Sequence, residues 1–129
     1  MIKVILDTNF LIYCAKERLD YTEEIPKILH DGFQLVVPMQ VVNELKKLRD
    51  DKKKKVSGKD KDACSLALQL LDVNKIPVIE ILGRNVDEAI INLAKEDKKN
   101  VVATLDREMR HILGRVILIN KGKKLMLTK

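Results

Sequence analysis

The chain has 129 residues, 46% of them hydrophobic, which suits one domain with a core of its own, residues 1–129, and leaves too little for a second. Lys and Arg number 25 against 19 Asp and Glu, a formal net charge of +6 that either favours a polyanionic partner such as nucleic acid or serves solubility alone. Aromatic residues are 3% with no Trp, which argues against a base-stacking platform; apolar runs stop well short of the ~18 residues that span a bilayer, and Lys3 and Asp7 interrupt any signal peptide, so a soluble cytoplasmic protein is expected.

In chain order, Ile2 to Leu6 forms a buried strand, and the helix over 9–16 begins after Asp7-Thr8-Asn9. A second helix is expected over 22–31, capped by Thr22 and closed by Gly32. Gln34 to Val37 is a short strand, and Pro38 suits the first position of the next helix, where Val41, Val42, Leu45 and Leu48 recur at helical spacing. Arg49 to Lys61, dense in lysine, reads as an exposed loop that is either simply solvated or a phosphate contact. Ala63 to Leu71 is an apolar helix, Pro77 to Ile81 a strand, Asn85 to Lys98 an amphipathic helix, Asn100 to Ala103 a strand and Asp106 to Leu113 a short helix. Arg115 to Ile119 and Lys124 to Leu127 complete the sheet in a segment with basic and no acidic side chains. Strands separated by helices predict an α/β fold with a mostly parallel sheet covered on both faces. Cys14 and Cys64 lack zinc-ligand companions and read as buried thiols, and His30 and His111 read as surface residues on helices without a nucleophilic partner.

Four carboxylates carry the chemistry. Asp7 follows the first strand, and Asp106 follows the strand ending at Ala103, each with a Thr alongside; right-handed parallel connections bring both to one edge of the sheet. Both are equally good helix caps, so capping and catalysis stay open for each. Glu44 borders the apolar stripe of its helix, with a solvated pairing to Lys46 or Lys47 as the alternative. Asn85 and Glu88 are spaced like a capping box, whereas Asp87 in the same first turn is only partly explained by the helix dipole. Four acids facing one edge repel one another unless something compensates, and a hard divalent cation, Mg²⁺ or Mn²⁺, is the natural choice. Such an ion also neutralises a phosphodiester transition state.

The segments VILDTNFLI, PMQVVNELKKL, VDEAIINLAKE and VVATLDREM, in this order over nearly the whole chain, together resemble the PIN-domain ribonuclease family. The resemblance implies a Rossmann-like three-layer sandwich and metal-dependent endonucleolytic cleavage of RNA, leaving 5′-phosphate and 3′-hydroxyl ends. By match to the motif, Asp7, Glu44, Asp87 and Asp106 correspond to the family's acidic cluster, supported by Thr8, Asn9 and Thr104. Asp7 and Asp106 are then the direct metal ligands, while Glu44 and Asp87 complete the shell or orient the attacking water. Leu105 stands where many members have Asn, which removes a side-chain role there and leaves Asp106 in place. Lys46, Lys47, Lys52, Lys53, Lys54 and Lys55 are candidates for contacts with the RNA backbone.

The DTNFLI opening, the NELKKL helix and the basic tail VILINKGKKLMLT are most similar to archaeal PIN proteins related to small-subunit ribosomal-RNA processing factors. The alternative is a toxin of a VapC-type toxin–antitoxin pair, with an antitoxin as partner. A reading from another class is a non-catalytic PIN-like adaptor for RNA or protein that keeps its acids as helix caps. Family members are often dimers, which adds a homodimer to the expected partners.

Overall fold

In the structure, a computed structural model that describes residues 1–53 and 55–128, strand and helix alternate. The elements are β1 (Ile2–Leu6), α1 (Thr8–Glu17), α2 (Tyr21–Ile28), β2 (Phe33–Pro38), α3 (Met39–Arg49), α4 (Gly58–Val73), β3 (Val78–Ile79), α5 (Val86–Ala94), β4 (Val101–Ala103), α6 (Met109–Leu113), β5 (Val116–Ile119) and β6 (Leu125–Leu127). The strands form a sheet in the order β3-β2-β1-β4-β5-β6, parallel throughout except for β6, which returns antiparallel to β5.

β1 lies inside the sheet because its run Val4-Ile5-Leu6 is apolar on both faces, and all three side chains are fully buried. Ile5 pairs with Val36 of β2 on one side and Val102 of β4 on the other. From β1 the chain builds outward to β2 and β3, then returns to place β4 against the other side of β1. Right-handed crossovers therefore assign α1 to α4 to one face of the sheet and α5 and α6 to the other. In agreement, α1, α3 and α4 pack on one another, while α5 lies across β1, β2 and β4. Phe10, Leu11, Ile25 and Leu45 fill the helical layer, and Ile90 and Leu93 of α5 press on the sheet. The reversal of strand order between β1 and β4 opens a crevice at their carboxyl ends, where open α/β sheets bind ligands.

Element boundaries depart from expectation where a side chain outcompetes local propensity. Asp20, not Thr22, caps α2, its Oδ1 accepting from both the amide and the hydroxyl of Thr22, and α2 stops at Ile28, leaving His30 exposed but outside any helix. Pro38 ends β2 with extended backbone (φ −66°, ψ 147°) and precedes α3 instead of opening it. The expected loop from Arg49 to Lys61 ends early, because Ser57 caps α4 by accepting from the amide of Asp60. The strand expected over 77–81 shrinks to Val78–Ile79, α5 ends at Ala94 and α6 begins only at Met109. Cys14 and Cys64 are free, buried thiols, and burial together with the nearby Asp20 pushes the Cys14 thiol up to about 12, which leaves it inert.

Candidate active site

Asp7 sits at the mouth of the crevice, on the turn from β1 into α1. Its extended backbone lets Oδ1 accept from the amide of Thr8 at 2.7 Å, so the carboxylate is a true helix cap. Capping uses only one oxygen. Oδ2 accepts from the hydroxyl of Thr104 at 2.7 Å, and Thr104 Oγ1 in turn accepts from the amide of Asp106 at 3.0 Å. One buried hydroxyl thus ties the turn after β1 to the turn after β4.

Asp7 is 5% exposed, an unusual place for a carboxylate with no cationic partner among its hydrogen bonds. Burial raises its pKa above the ordinary 3.8, the bonds from Thr104 and Thr8 hold it back, and the charges of Asp87 and Glu44 raise it further. Those last two influences show that Glu44, half-buried in α3, and Asp87, exposed in the first turn of α5, stand within charge reach of Asp7. Three acids far apart in sequence, on three elements, are therefore near enough for the charges of two to act on the third.

Asp106 is placed differently from the expectation of a direct ligand beside Asp7. It is exposed, and its Oδ1 accepts from the amide of Glu108 at 2.9 Å, so its carboxylate is turned to its own turn while its backbone hangs on Thr104. Among the described residues, no group of three His, Cys, Asp or Glu side chains converges tightly enough to grip an ion as it stands. Like charges spread apart when nothing neutralises them, and an exposed Asp finds a backbone amide more cheaply than it finds another carboxylate.

The surroundings nevertheless fit a hard divalent cation. Among the described residues, the charges that act on Asp7 are the carboxylates of Asp87 and Glu44, and carboxylate oxygens are what Mg²⁺ or Mn²⁺ prefers. Beside Asp7, the hydroxyl of Thr8 is buried without a hydrogen-bond partner, an acceptor or donor held ready for a ligand or its water. Asn9, one residue on, is exposed at the rim. Glu88, by contrast, is occupied structurally: Asn85 caps its amide at 2.9 Å and its carboxylate pairs with Arg84.

The lysines divide. Lys47, Lys52, Lys53 and Lys55 line a hollow of about 670 Å³, and the carboxylate of Asp51 folds that loop by accepting from the amides of Lys53, Lys55 and Val56. Lys55 also borders the hollow that contains Asn9 and Leu105, neighbours of Asp7 and Asp106. Lys46 lines a separate hollow with Arg49 and Lys75, and Lys54 lies outside the described residues. Sequence reasoning passed over Gln40, one helical turn before Glu44, because nothing local pairs it with the loop at residues 81–83 whose carbonyls it binds.

Comparison with known proteins shows the family and the fold. The chain is 36% identical over 113 residues to Ribonuclease VapC4 of Methanocaldococcus jannaschii, which is 88% of this chain and 83% of that protein. Its fold is similar to that of the PIN domain endonuclease Utp24, with a TM-score of 0.74 and 19% identity over 97% of this chain and 90% of that one. A more distant likeness is to VapBC2 from Rickettsia felis bound to a promoter DNA fragment, with a TM-score of 0.57 and 17% identity over 87% of this chain and 93% of that one. A family model described as a PIN like domain matches residues 4–120, and the chain belongs to that family.

Proposed function

We propose that this chain is a divalent-metal-dependent endoribonuclease whose site is the β1/β4 crevice. The observation that carries the reading is the burial of Asp7 with no Lys or Arg among its hydrogen-bond partners, held by Thr8 and Thr104 and under the charge of Glu44 and Asp87. A carboxylate kept there at a cost to stability, and doubly hydrogen-bonded so that its orientation is fixed, is arranged for a cation more than for a helix end. The similarity to Ribonuclease VapC4 supports RNA as the substrate.

A bound cation supplies positive charge that offsets the carboxylates and the charge developing on the phosphodiester. Asp7, Glu44, Asp87 and Asp106 are the residues to hold it, Asp106 after releasing the amide of Glu108. Thr104 fixes the orientation of the Asp7 carboxylate by donating to Oδ2, and Glu44 and Asp87 would orient the attacking water from α3 and α5. Lys55, in the hollow with Asn9 and Leu105, and Lys52 and Lys53 in the hollow that shares Lys55 with it, hold the RNA backbone.

Calorimetry with Mn²⁺ and cleavage of a structured RNA, on wild type and Asp7→Asn, test this. Binding and cutting by the wild type, with a loss of at least about 100-fold in cleavage for Asp7→Asn, is the expected result. A wild type that neither binds Mn²⁺ nor cuts returns Asp7 to a cap and the chain to the adaptor class. On biological role, ribosomal-RNA processing rests on the basic tail and the motif wording, while the similarity to Ribonuclease VapC4 favours a second reading as an antitoxin-restrained toxin. Growth arrest on expression of the chain alone supports the toxin; unimpeded growth with co-purifying ribosomal RNA supports processing.

A further inference from the structure

The segment between β3 and α5 is fastened through three consecutive carbonyls. Gln40, in the first turn of α3, donates from Nε2 to the carbonyl of Ile81 at 2.7 Å and to that of Gly83 at 3.1 Å. Asn92 of α5 donates from Nδ2 to the carbonyl of Leu82 between them, at 2.7 Å. The loop is thus bound to the helix that carries Glu44 by one side chain and to the helix that carries Asp87 by another.

Two further observations make the Gln40 contact more than incidental. With two carbonyls in front of it, only the NH₂ end of the amide can face the loop, and Oε1 is accordingly buried with no partner. An unpaired buried acceptor costs free energy, so the orientation is maintained against a penalty. On the far side, a Cβ on Gly83 would lie 2.6 Å from the backbone nitrogen of Ala89, two residues beyond Asp87. The loop is therefore in direct backbone contact with the start of α5 and cannot shift toward it. Gln40 fixes the other side, and because Gln40 and Glu44 are one helical turn apart on α3, the clamp acts close to that carboxylate.

From this geometry we propose that Gln40 is a positioning residue that sets the separation of Glu44 and Asp87 across the crevice, and so the affinity of the site for its cation. The inference rests on the metal-dependent reading above. Gln40 touches neither Asp7 nor the crevice mouth in the hydrogen-bond network; it acts through the loop.

The test compares wild type, Gln40→Met and Asn92→Ala by Mn²⁺ calorimetry, thermal unfolding in EDTA and cleavage kinetics on the full chain. Gln40→Met keeps the volume and removes both donors, whereas Asn92→Ala loosens the same loop from α5 alone and leaves its tie to α3. We expect Gln40→Met to weaken Mn²⁺ binding about 10-fold or more, and to lower kcat while KM for RNA stays within about twofold. Asn92→Ala cuts the α5 end of the same link and should weaken Mn²⁺ binding in the same direction but by less, because the close packing of Gly83 on Ala89 still braces the loop there. Unchanged affinity in Gln40→Met, even with a lowered melting temperature, makes the clamp merely structural and overturns the proposal. A loss in Asn92→Ala with none in Gln40→Met also overturns it, since the tie to α3 would then not matter. A wild type that binds no Mn²⁺ fails earlier, sinking the metal reading together with this one, and is told apart because no variant need be consulted.

Discussion

Asp7 combines two roles that a sequence presents as alternatives. Its Oδ1 caps α1 and its Oδ2 is held by Thr104, so the same carboxylate is structural in one oxygen and available to the crevice through its placement. Its raised pKa, caused first by burial, turns into a pH-dependent stability. In the unfolded chain Asp7 ionises near the ordinary 3.8; below that value the group is neutral in both states and costs nothing. As pH rises from there through the higher folded value, the folded protein comes to carry a desolvated charge and loses stability, a loss complete above the folded value. Asp7→Asn in EDTA should therefore stabilise the protein by on the order of 1 kcal/mol, about 3–5 °C in melting temperature at neutral pH. The gain should shrink toward pH 3, and thermal scans across pH measure it. No gain at any pH would mean that Asp7 is a cap and nothing more. Asp106 is exposed and bonded to the amide of Glu108, so Asp106→Asn removes no buried group and keeps an acceptor for that amide.

At the scale of elements, the site is made by the first turns of helices and the loops before them. Gly83 shows how tightly one of these is packed, since any side chain there meets the backbone of Ala89 at 2.6 to 2.9 Å. Gly83→Ala must push the loop off α5, and a destabilisation of about 1–3 kcal/mol by urea unfolding is expected. If the variant unfolds at the same midpoint as wild type, the close approach is not enforced. The loop after α3 follows a different logic: it is polar and lysine-rich, and one carboxylate, Asp51, organises it by accepting three backbone amides, which leaves lysine side chains free to face solvent and phosphate.

Across the whole molecule, the net charge of +6 is not spread evenly around the acidic crevice. Lys55 reaches the hollow that also holds Asn9 and Leu105, and Lys52 and Lys53 line the hollow that shares Lys55 with it, whereas Lys46 turns into the hollow between α3 and α4. On the proposed function, electrostatic capture of a polyanion follows the first group. Binding of RNA should fall steeply with salt, and replacing Lys52, Lys53 and Lys55 together by Gln should reduce the slope of log K against log salt by about 2 for a single strand. Lys46→Gln should leave that slope nearly unchanged. A flat salt response of the wild type would remove the lysines from RNA binding altogether.

What the sequence alone determined was everything that depends on local pattern. The apolar run Val4-Ile5-Leu6 dictated a buried strand, the alternation of such runs with amphipathic stretches dictated a parallel α/β sheet, and four family motifs in register pointed to Asp7, Glu44, Asp87 and Asp106. Capping competition blurred the boundaries: Asp20 and Ser57 each claimed a helix start that propensity had placed elsewhere. Only the tertiary structure decided which acids lie near one another. Periodicity can say that Glu44 borders a core face, but not that its charge and that of Asp87 reach Asp7, because that depends on how the strand order brings their elements together. The link from Thr104 to Asp7 spans 97 residues, and those from Gln40 to Ile81 and Gly83 span 41 and 43. Contacts of that separation are made by the packing of elements and not by any spacing along the chain, which is why Asp106 could be named from its motif while the direction of its carboxylate, and the clamp formed by Gln40, became visible only in the fold.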